Sequence, residues 1–296
     1  MFPDLTALER PGSRQGNDNN PDLRVSSLYS YPVKGCAPVT MAESQVTRAG
    51  LAHDRTFMVI GEDGDGYTQR RHPRLALIRP EVSADGSRLL LVYPGRDTFE
   101  LEVDTERPRR DVRLFGVGYA GIDQGDGVAA WLSDALETSS RLVRVPPEHA
   151  RVTDGQTPGT SAYADSCPIH LLSTAALHEL NRRLVACGAS PMAVNRFRPN
   201  IVVSGSDRPH IEDGMRCVRI GDAELGYAKL AIRCVVTTVD QVRGAKTGPE
   251  PLRTLAGYRR AAEGGVAFGV KFAVAETGHV AVGGAIDIVK WGPSEL

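Results

Sequence analysis

The sequence predicts a mixed β fold with few helices, in which a small antiparallel barrel or curled sheet in the first half precedes a mixed second half. Short β-branched and apolar runs alternate with glycine-rich turns, a pattern typical of hairpins. Clear helical periodicity occurs in two segments. Because hydrophobic residues make up 41% and charged residues 24% of the 296 residues, the composition is globular, and the length suits one large or two ordinary domains.

The β-like runs of the first half follow one another closely. Turns at 61–66 and 94–97 each separate two such runs, as hairpin loops do. The predicted strands of this half are 25–33, 55–60, 67–70, 88–93 and 98–103. Their spacing favours the small antiparallel barrel.

Two segments predict helices. The first is 127–137, where apolar residues recur at helical spacing. The second follows Ser173, a suitable N-cap, and is followed by Gly188, a residue favoured just beyond a helix end. Further strands are predicted after it at 201–204, 217–220, 232–239, 270–275 and 286–289.

Composition divides the chain into a tail and two domains. Residues 1–22 are rich in turn formers and lack apolar periodicity, so we expect a disordered tail. The pair Pro146-Pro147 separates the β-rich first half from the mixed second half. We therefore expect one domain at 23–145 and a second at 146–296.

Charge, hydropathy and cysteine spacing exclude several classes of protein. The chain has 35 basic and 36 acidic side chains, so no overall field favours nucleic acid or an anionic membrane. It lacks an apolar run of about 18 residues, and its polar start does not resemble a secretory signal. Five scattered cysteines without C-x-x-C spacing argue against zinc, iron–sulfur and thioredoxin-like sites. We expect a cytoplasmic protein with reduced thiols and with neither nucleic acid nor membrane as a partner.

Three basic residues occur in segments that otherwise look buried or turn-like, namely Lys34, Arg55 and Arg198. Taken singly, each has the ordinary interpretation of a solvated charge. If the fold gathers them, their guanidinium and ammonium groups form a pocket for a phosphate or another anion on a small ligand. Gly35, beside Lys34, would let that ligand approach the backbone closely.

Cys234 lies in a β-branched run next to Arg233. A cysteine in such a run is usually a small buried hydrophobic residue. Nearby cations could instead stabilise its thiolate, which is a soft metal ligand or a nucleophile. The spacing leaves both interpretations open, and Cys36 and Cys167 are weaker candidates of the same kind.

Several blocks in a fixed order identify a known family. They are YPVKGC at 31–36, HDRTFMVI at 53–60, TQRRHPRL at 68–75, SCPIHLLS at 166–173, NRFRPNIVVSG at 195–205 and RCVVTTVD at 233–240. With them the chain resembles the MOSC family, in the branch that carries a MOSC N-terminal β-barrel and includes the amidoxime-reducing components. The resemblance implies that this small barrel packs on a second, barrel-like MOSC domain. It also implies a molybdenum cofactor, a pterin dithiolene whose metal takes one further sulfur from a protein cysteine.

The resemblance also implies roles for single residues. Cys234 matches the molybdenum ligand, and Asp240 is expected to orient groups near it or deliver protons. The implied cofactor contacts are Lys34, Gly35, Arg55, Ser166, Cys167, Arg198, Asn200, Ile232, Arg233 and Lys271. Three of these depart from the family pattern: Cys167 replaces a hydroxyl residue, Gly35 a serine and Lys271 an aromatic residue. These changes lie near the expected mouth of the substrate pocket, so they bear most directly on which substrate binds.

The reaction that the resemblance implies is reduction of an N-oxygenated compound, such as a hydroxylamine, an N-oxide or an amidoxime. Its electrons would come from a separate ferredoxin, flavoprotein reductase or b-type cytochrome, because the chain has no iron–sulfur cysteine set. Two alternatives stay open. Cys234 could carry a persulfide in sulfur transfer, although 296 residues leave no room for a desulfurase domain, or the protein could bind the cofactor without turnover.

Overall fold

The computed structural model describes residues 21–296. The strands are β1 (Arg24–Ser30), β2 (Val39–Met41), β3 (Glu43–Thr47), β4 (Gly50–Leu51), β5 (Phe57–Ile60), β6 (Arg79–Val82), β7 (Arg88–Val92), β8 (Phe99–Glu102), β9 (Arg109–Leu114), β10 (Val117–Asp123), β11 (Arg141–Arg144), β12 (Val152–Thr153), β13 (Gly159–Thr160), β14 (Ile169–Ser173), β15 (Ile201–Ser204), β16 (Met215–Ile220), β17 (Ala223–Arg233), β18 (Val239–Asp240), β19 (Ala245–Lys246), β20 (Val266–Glu276), β21 (Gly278–Ala281) and β22 (Ile286–Trp291). The α-helices are α1 (Asp126–Leu136), α2 (Thr174–Ala186) and α3 (Leu252–Ala256), and short 3₁₀ turns lie at Pro73–Leu77, Val194–Phe197, Ile211–Gly214 and Val235–Thr238. The expected mixed β fold with few helices is confirmed.

The largest sheet has eight strands in the order β2-β1-β15-β14-β20-β17-β16-β22. Its strands are antiparallel neighbours except β14 and β15, which run parallel and are connected through α2. The long strands β17 and β20 pair along most of their length, with register shifts that mark bulges. Their inward side chains, such as Leu225 and Phe272, belong to one buried apolar cluster. This sheet contains most of the strand residues of the second half of the chain.

The first half forms smaller sheets. One has the order β5-β11-β10-β9 and another the order β6-β7-β8. In a third, β3 pairs both with β4 and with β21 from the end of the chain. Helix α1 contributes Val128 and Leu132 to a second buried cluster that also contains Leu89 and Leu142. Strands β1 and β2 join the large sheet instead, because β1 pairs with β15. The first residues of the predicted N-terminal domain are therefore hydrogen-bonded to the second half.

Both predicted helices are confirmed. Helix α1 spans Asp126–Leu136. Helix α2 begins after Ser173, whose side-chain oxygen accepts a hydrogen bond from the Ala176 N–H at 3.1 Å, and Gly188 follows its end with a positive φ of 76°. Helix α2 depends on local signals, namely a cap, an apolar stripe and a terminal glycine, whereas α1 shows only the apolar stripe.

Two predicted strands are wrong. Residues 67–70 are not a strand, since the Arg71 and His72 N–H groups both donate to the Thr68 carbonyl and close a turn. The strand predicted at 232–239 is broken after Arg233 by the turn Val235–Thr238. There the Thr237 and Thr238 hydroxyls donate to backbone carbonyls three residues earlier, an alternative to a strand ladder that β propensity does not include.

The predicted tail lies almost entirely outside the described residues. The domain boundaries at 23–145 and 146–296 stay a prediction. Contacts between the two halves are direct in the structure, since β1 pairs with β15. Beyond β1, the Lys34 N–H donates to the Phe57 carbonyl of β5. The segment that follows β1 therefore links the large sheet to the sheet that contains β5.

Candidate functional site

A cavity lies where loops from both halves meet. Its lining includes eleven of the twelve residues that the sequence nominated: Lys34, Gly35, Arg55, Ser166, Cys167, Arg198, Asn200, Ile232, Arg233, Cys234 and Lys271. Most come from strand ends. Lys34 follows β1, Arg198 precedes β15, and Cys234 follows β17. The strand order β1-β15-β14-β20-β17 brings these ends to one place although more than 200 positions separate Lys34 from Lys271.

Two of the arginines stack on one buried tyrosine. The Arg55 and Arg198 guanidinium carbons lie 4.3 and 4.2 Å from the centre of the Tyr31 ring. The Tyr31 hydroxyl donates to the Pro199 carbonyl at 3.0 Å, and burial raises the pKa of this hydroxyl above its ordinary value. Tyr31 is therefore a neutral platform whose ring fixes both cations. Arg55 and Arg198 also have positive φ values of 49° and 55°, which few non-glycine residues adopt.

The buried Asn200 side chain hydrogen-bonds to Arg55 and to two neighbouring segments. Its side chain is 1% exposed, and its Oδ1 accepts from Arg55 at 3.1 Å and from the His170 N–H at 3.2 Å. Its Nδ2 donates to the Tyr29 carbonyl at 3.1 Å. These bonds occupy the amide oxygen and one of the two Nδ2 N–H groups, so Asn200 positions Arg55 and the strand ends.

Lys34 is neutralised by a carboxylate that the sequence did not nominate. Its ammonium is paired with Asp165 and also donates to the Tyr163 carbonyl at 2.9 Å. Burial lowers the pKa of Lys34, with Asp165 acting in the opposite direction. Burial acts to raise the pKa of the Asp165 carboxyl, but the charges of Lys34, Arg70 and Lys271 together outweigh it and keep that pKa far below its usual range. Asp165 precedes the nominated pair Ser166-Cys167 in sequence.

The Cys234 sulfur lies beside a cation that was also missed. Arg70 donates from Nη2 to the Cys234 Sγ at 3.3 Å, and the same nitrogen lies 3.8 Å from Asp165. Cys234 is partly exposed and not packed among aliphatic groups. Since the chain leaves β17 just before it, its side chain lines the cavity. Metals bind cysteine through its sulfur in the thiolate form. Arg70 belongs to the block TQRRHPRL, which is the signal that could have identified it.

The cavity has more positive than negative charge. Six cationic residues line it, namely Lys34, Arg55, Arg70, Arg198, Arg233 and Lys271, and one carboxylate residue, Asp165. Two buried donors, the Arg198 Nη2 and the Arg233 Nε, have no hydrogen-bond partner within residues 21–296. Burial lowers the pKa of Arg233 to about 10 and that of Lys271 to about 7, and the charges of Arg233 and Arg55 contribute to the latter.

The surplus of positive charge fits the anionic groups of the implied cofactor. Unpaired buried N–H groups on cations are unfavourable unless a ligand satisfies them, and phosphate oxygens are suitable acceptors. Within the described part of the chain, no cluster of three His, Cys, Asp or Glu side chains could hold a metal ion. One partly exposed cysteine sulfur beside unpaired cations fits a metal that arrives already held by an anionic pterin.

The second thiol of the cavity differs from the first. Cys167 is 2% exposed, and its Sγ donates to the Asp154 carbonyl at 3.4 Å. Burial raises the pKa of the Cys167 thiol. Cys167 is therefore a neutral thiol whose hydrogen bond is made within the chain.

Asp240 does not line the cavity, and its expected role near the metal ligand stays a prediction. Its Oδ2 accepts from Arg196 at 3.0 Å, and its Oδ1 accepts from the Val242 and Arg243 N–H groups at 2.9 Å each. These bonds close the turn that follows β18. The residue is committed to the conformation of a loop because aspartate readily bonds to backbone groups two and three positions ahead.

Fold and site together define a β protein with a cavity that six cationic residues and one partly exposed cysteine sulfur line. Residues 22–139 match the MOSC N-terminal beta barrel domain, and residues 158–287 match the MOSC domain. The chain belongs to the MOSC family. None of the helices in residues 21–296 is long and apolar enough to span a bilayer.

Three similar proteins illustrate this relationship. Mitochondrial amidoxime reducing component 2 of Rattus norvegicus is 36% identical over 281 residues, which cover 88% of this chain and 81% of the relative. Molybdenum cofactor sulfurase of Danio rerio is 31% identical over 92% of this chain, but the match covers 34% of that protein. The crystal structure of the YuaD protein of Bacillus subtilis covers 89% of this chain and 93% of its own, with a TM-score of 0.37 and 12% identity.

Proposed function

We propose that this protein is a molybdenum-cofactor-dependent oxidoreductase that reduces N-oxygenated compounds of the hydroxylamine, N-oxide or amidoxime type. With a hydroxylamine, the N–O bond breaks, two electrons and two protons are consumed, and an amine and water are released. The observation that carries the proposal is the Cys234 sulfur, which lies in a cavity with six cationic residues. The similarity to an amidoxime reducing component over most of both chains supports the same assignment.

The residues of the cavity would divide the work of holding the cofactor. Cys234 would supply the protein sulfur, and Arg70 would orient that sulfur through its 3.3 Å contact. Arg198 and Arg233 would direct their unpaired N–H groups toward anionic oxygens. When bound, the molybdenum cofactor would supply two-electron redox chemistry and an acceptor for the substrate oxygen.

Protons must reach the site as the N–O bond breaks. Lys271 lines the cavity, and because burial lowers its pKa to about 7, its Nζ can both hold and release a proton near neutral pH. Asp240 is less suited to this task because both of its oxygens accept hydrogen bonds outside the cavity. We therefore assign proton delivery to Lys271.

Electrons would come from a separate donor, a ferredoxin, a flavoprotein reductase or a b-type cytochrome. A cytoplasmic location stays a prediction, since the similar rat protein is named as mitochondrial.

The test uses protein made in a host that synthesises the molybdenum cofactor. We expect about one molybdenum atom per chain, measured by mass spectrometry of the metal, because one cysteine provides one ligand position. We also expect reduction of benzamidoxime and of N-methylhydroxylamine with reduced benzyl viologen as the donor. Cys234→Ser should lower that turnover by at least about 100-fold, since even outer contacts of a metal are worth about 10- to 100-fold. Cys187→Ser, at an exposed cysteine, is the matched control and should leave turnover unchanged.

Two results would overturn the proposal. Bound molybdenum without reduction of either compound would indicate a binding module. A persulfide on Cys234 in protein that lacks molybdenum would indicate sulfur transfer.

A further inference from the structure

The loop between β9 and β10 contains an unusual residue for its conformation. Phe115 and Gly116 form a two-residue hairpin loop, with Leu114 and Val117 paired on either side. Both loop residues have positive φ, 54° for Phe115 and 81° for Gly116. Hairpins of this geometry favour Asn-Gly, because asparagine and glycine adopt the left-handed conformation with little strain. A bulky aromatic residue in that conformation is an outlier, and such outliers cluster at functional sites.

The strained residue lies beside the cavity. The Lys34 Nζ is 5.0 Å and the Arg70 Cζ is 5.2 Å from the centre of the Phe115 ring. Both cations line the cavity, and Arg70 donates to the Cys234 sulfur. Phe115 nevertheless stays 49% exposed. One part of its ring therefore contacts cations of the site while the rest is open to solvent.

Packing does not account for the placement of this ring. Phe115 is not a member of the buried apolar clusters among the described residues, whereas Leu114, its neighbour in the hairpin, is 2% exposed and belongs to one of them. Ile232, which lines the same cavity, is also 49% exposed. Apolar surface is thus left open beside a strongly charged cavity, a combination that suits a ligand with one apolar and one polar end.

We propose that Phe115 is a specificity-determining residue whose exposed ring stacks on the planar, aromatic body of the substrate. The favoured substrates are then aryl N-oxygenated compounds, with the N–O group directed toward Cys234 and the aryl ring on Phe115. This inference rests on the proposed function and adds to it the class of substrate. Small aliphatic hydroxylamines gain nothing from the ring, so Phe115 does not affect their reduction.

Phe115→Asn separates binding from structure, because asparagine fits the left-handed conformation but has no ring. We expect the KM for benzamidoxime to rise about five- to tenfold, the range of an aromatic contact. The kcat/KM for N-methylhydroxylamine should stay within about twofold, and the melting temperature should be unchanged or higher as strain is relieved. Phe115→Trp should keep the low KM. Val117→Ala is the matched control, since Val117 is 55% exposed in the same hairpin and does not line the cavity.

Binding measured without turnover distinguishes failure of the proposed reaction from failure of the proposed role of Phe115. Calorimetric titration of benzamidoxime into the wild-type holoprotein and into Phe115→Asn should show the same five- to tenfold difference in Kd. If the wild type reduces neither compound but the difference in Kd is found, the proposed reaction is wrong and the role of Phe115 is supported. Equal losses for both compounds, equal Kd values, or a lower melting temperature together with equal losses would overturn the role of Phe115.

Discussion

The buried arginines of this protein differ in whether their nitrogens have hydrogen-bond acceptors. Arg259 represents one case, and Arg198 and Arg233 represent the other. Arg259 is 5% exposed, and each of its three nitrogens donates: two to Asp213 at 2.6 and 2.9 Å, and Nε to the Ala267 carbonyl at 3.1 Å. Arg198 and Arg233 instead each donate to one backbone carbonyl, at 2.7 and 2.8 Å. Each of the two keeps a buried nitrogen without a partner within the described residues.

The difference shows how one side chain can serve either the fold or a ligand. A buried cation whose nitrogens all donate to a carboxylate or a carbonyl stabilises the fold. Removing the carboxylate then leaves an uncompensated charge. A buried cation with an open donor is unfavourable until an acceptor arrives. Three predictions test this distinction, in order of decreasing effect.

The largest effect is expected at the closed pair. Asp213→Asn removes the charge that faces Arg259, so the free energy of unfolding should fall by about 3–5 kcal/mol. Urea unfolding of the apoprotein at pH 7 measures it. Arg219→Gln, in the exposed pair with Glu224, is the control and should cost less than about 1 kcal/mol. Equal losses in the two variants would contradict the distinction.

A smaller effect of opposite sign is expected at Lys271 in the open cavity. Its folded-state pKa of about 7 is below the unfolded value of roughly 10.4, so the unfolded chain binds more protons between these pH values and stability should rise with pH there. Lys271→Met should therefore be more stable than wild type at pH 7, by on the order of 1 kcal/mol after solvent screening, with the gain vanishing near pH 10.

Urea unfolding of the apoproteins at pH 7, 8.5 and 10 checks the Lys271 prediction, with Lys246→Met at an exposed strand as the control. A difference between wild type and Lys271→Met that does not change with pH would show that Lys271 titrates normally.

The smallest effect is expected at Asp240, outside the cavity. Asp240→Asn keeps an oxygen for the backbone N–H groups but weakens the pair with Arg196, so the free energy of unfolding should fall by about 0.5–1 kcal/mol. Steady-state kinetics of the holoenzyme should change by less than about threefold. A much larger loss of kcat with unchanged stability would restore Asp240 as a catalytic candidate.

Local signals predicted some elements well. The cap at Ser173 and the glycine after α2 lie within a few residues of the helix ends that they define. Where a strand competed with a turn, β propensity failed, because the hydroxyls of Thr237 and Thr238 bond to carbonyls three residues back. That choice matters for the site, since the turn begins directly after Cys234.

The site shows a similar division. Residue type and family resemblance nominated eleven residues that line the cavity, but not Asp165, Arg70 or Phe115. Those three matter through contacts with distant residues: Asp165 pairs with Lys34, and Arg70 donates to Cys234. Such pairs depend on which strand ends meet, and a single chain does not specify that through local pattern.

Chemical type was therefore present in the chain from the start: a soft sulfur, a surplus of basic residues in particular blocks, and a composition suited to β sheets. Pairing was decided only by the fold. Whether a buried arginine meets a carboxylate, as Arg259 does, or keeps an open donor, as Arg233 does, depends on strand order and loop conformation. The physical reason is that these interactions differ in sequence range. Caps and turns act over a few residues, whereas charges compensate one another through space between segments that are far apart in the sequence.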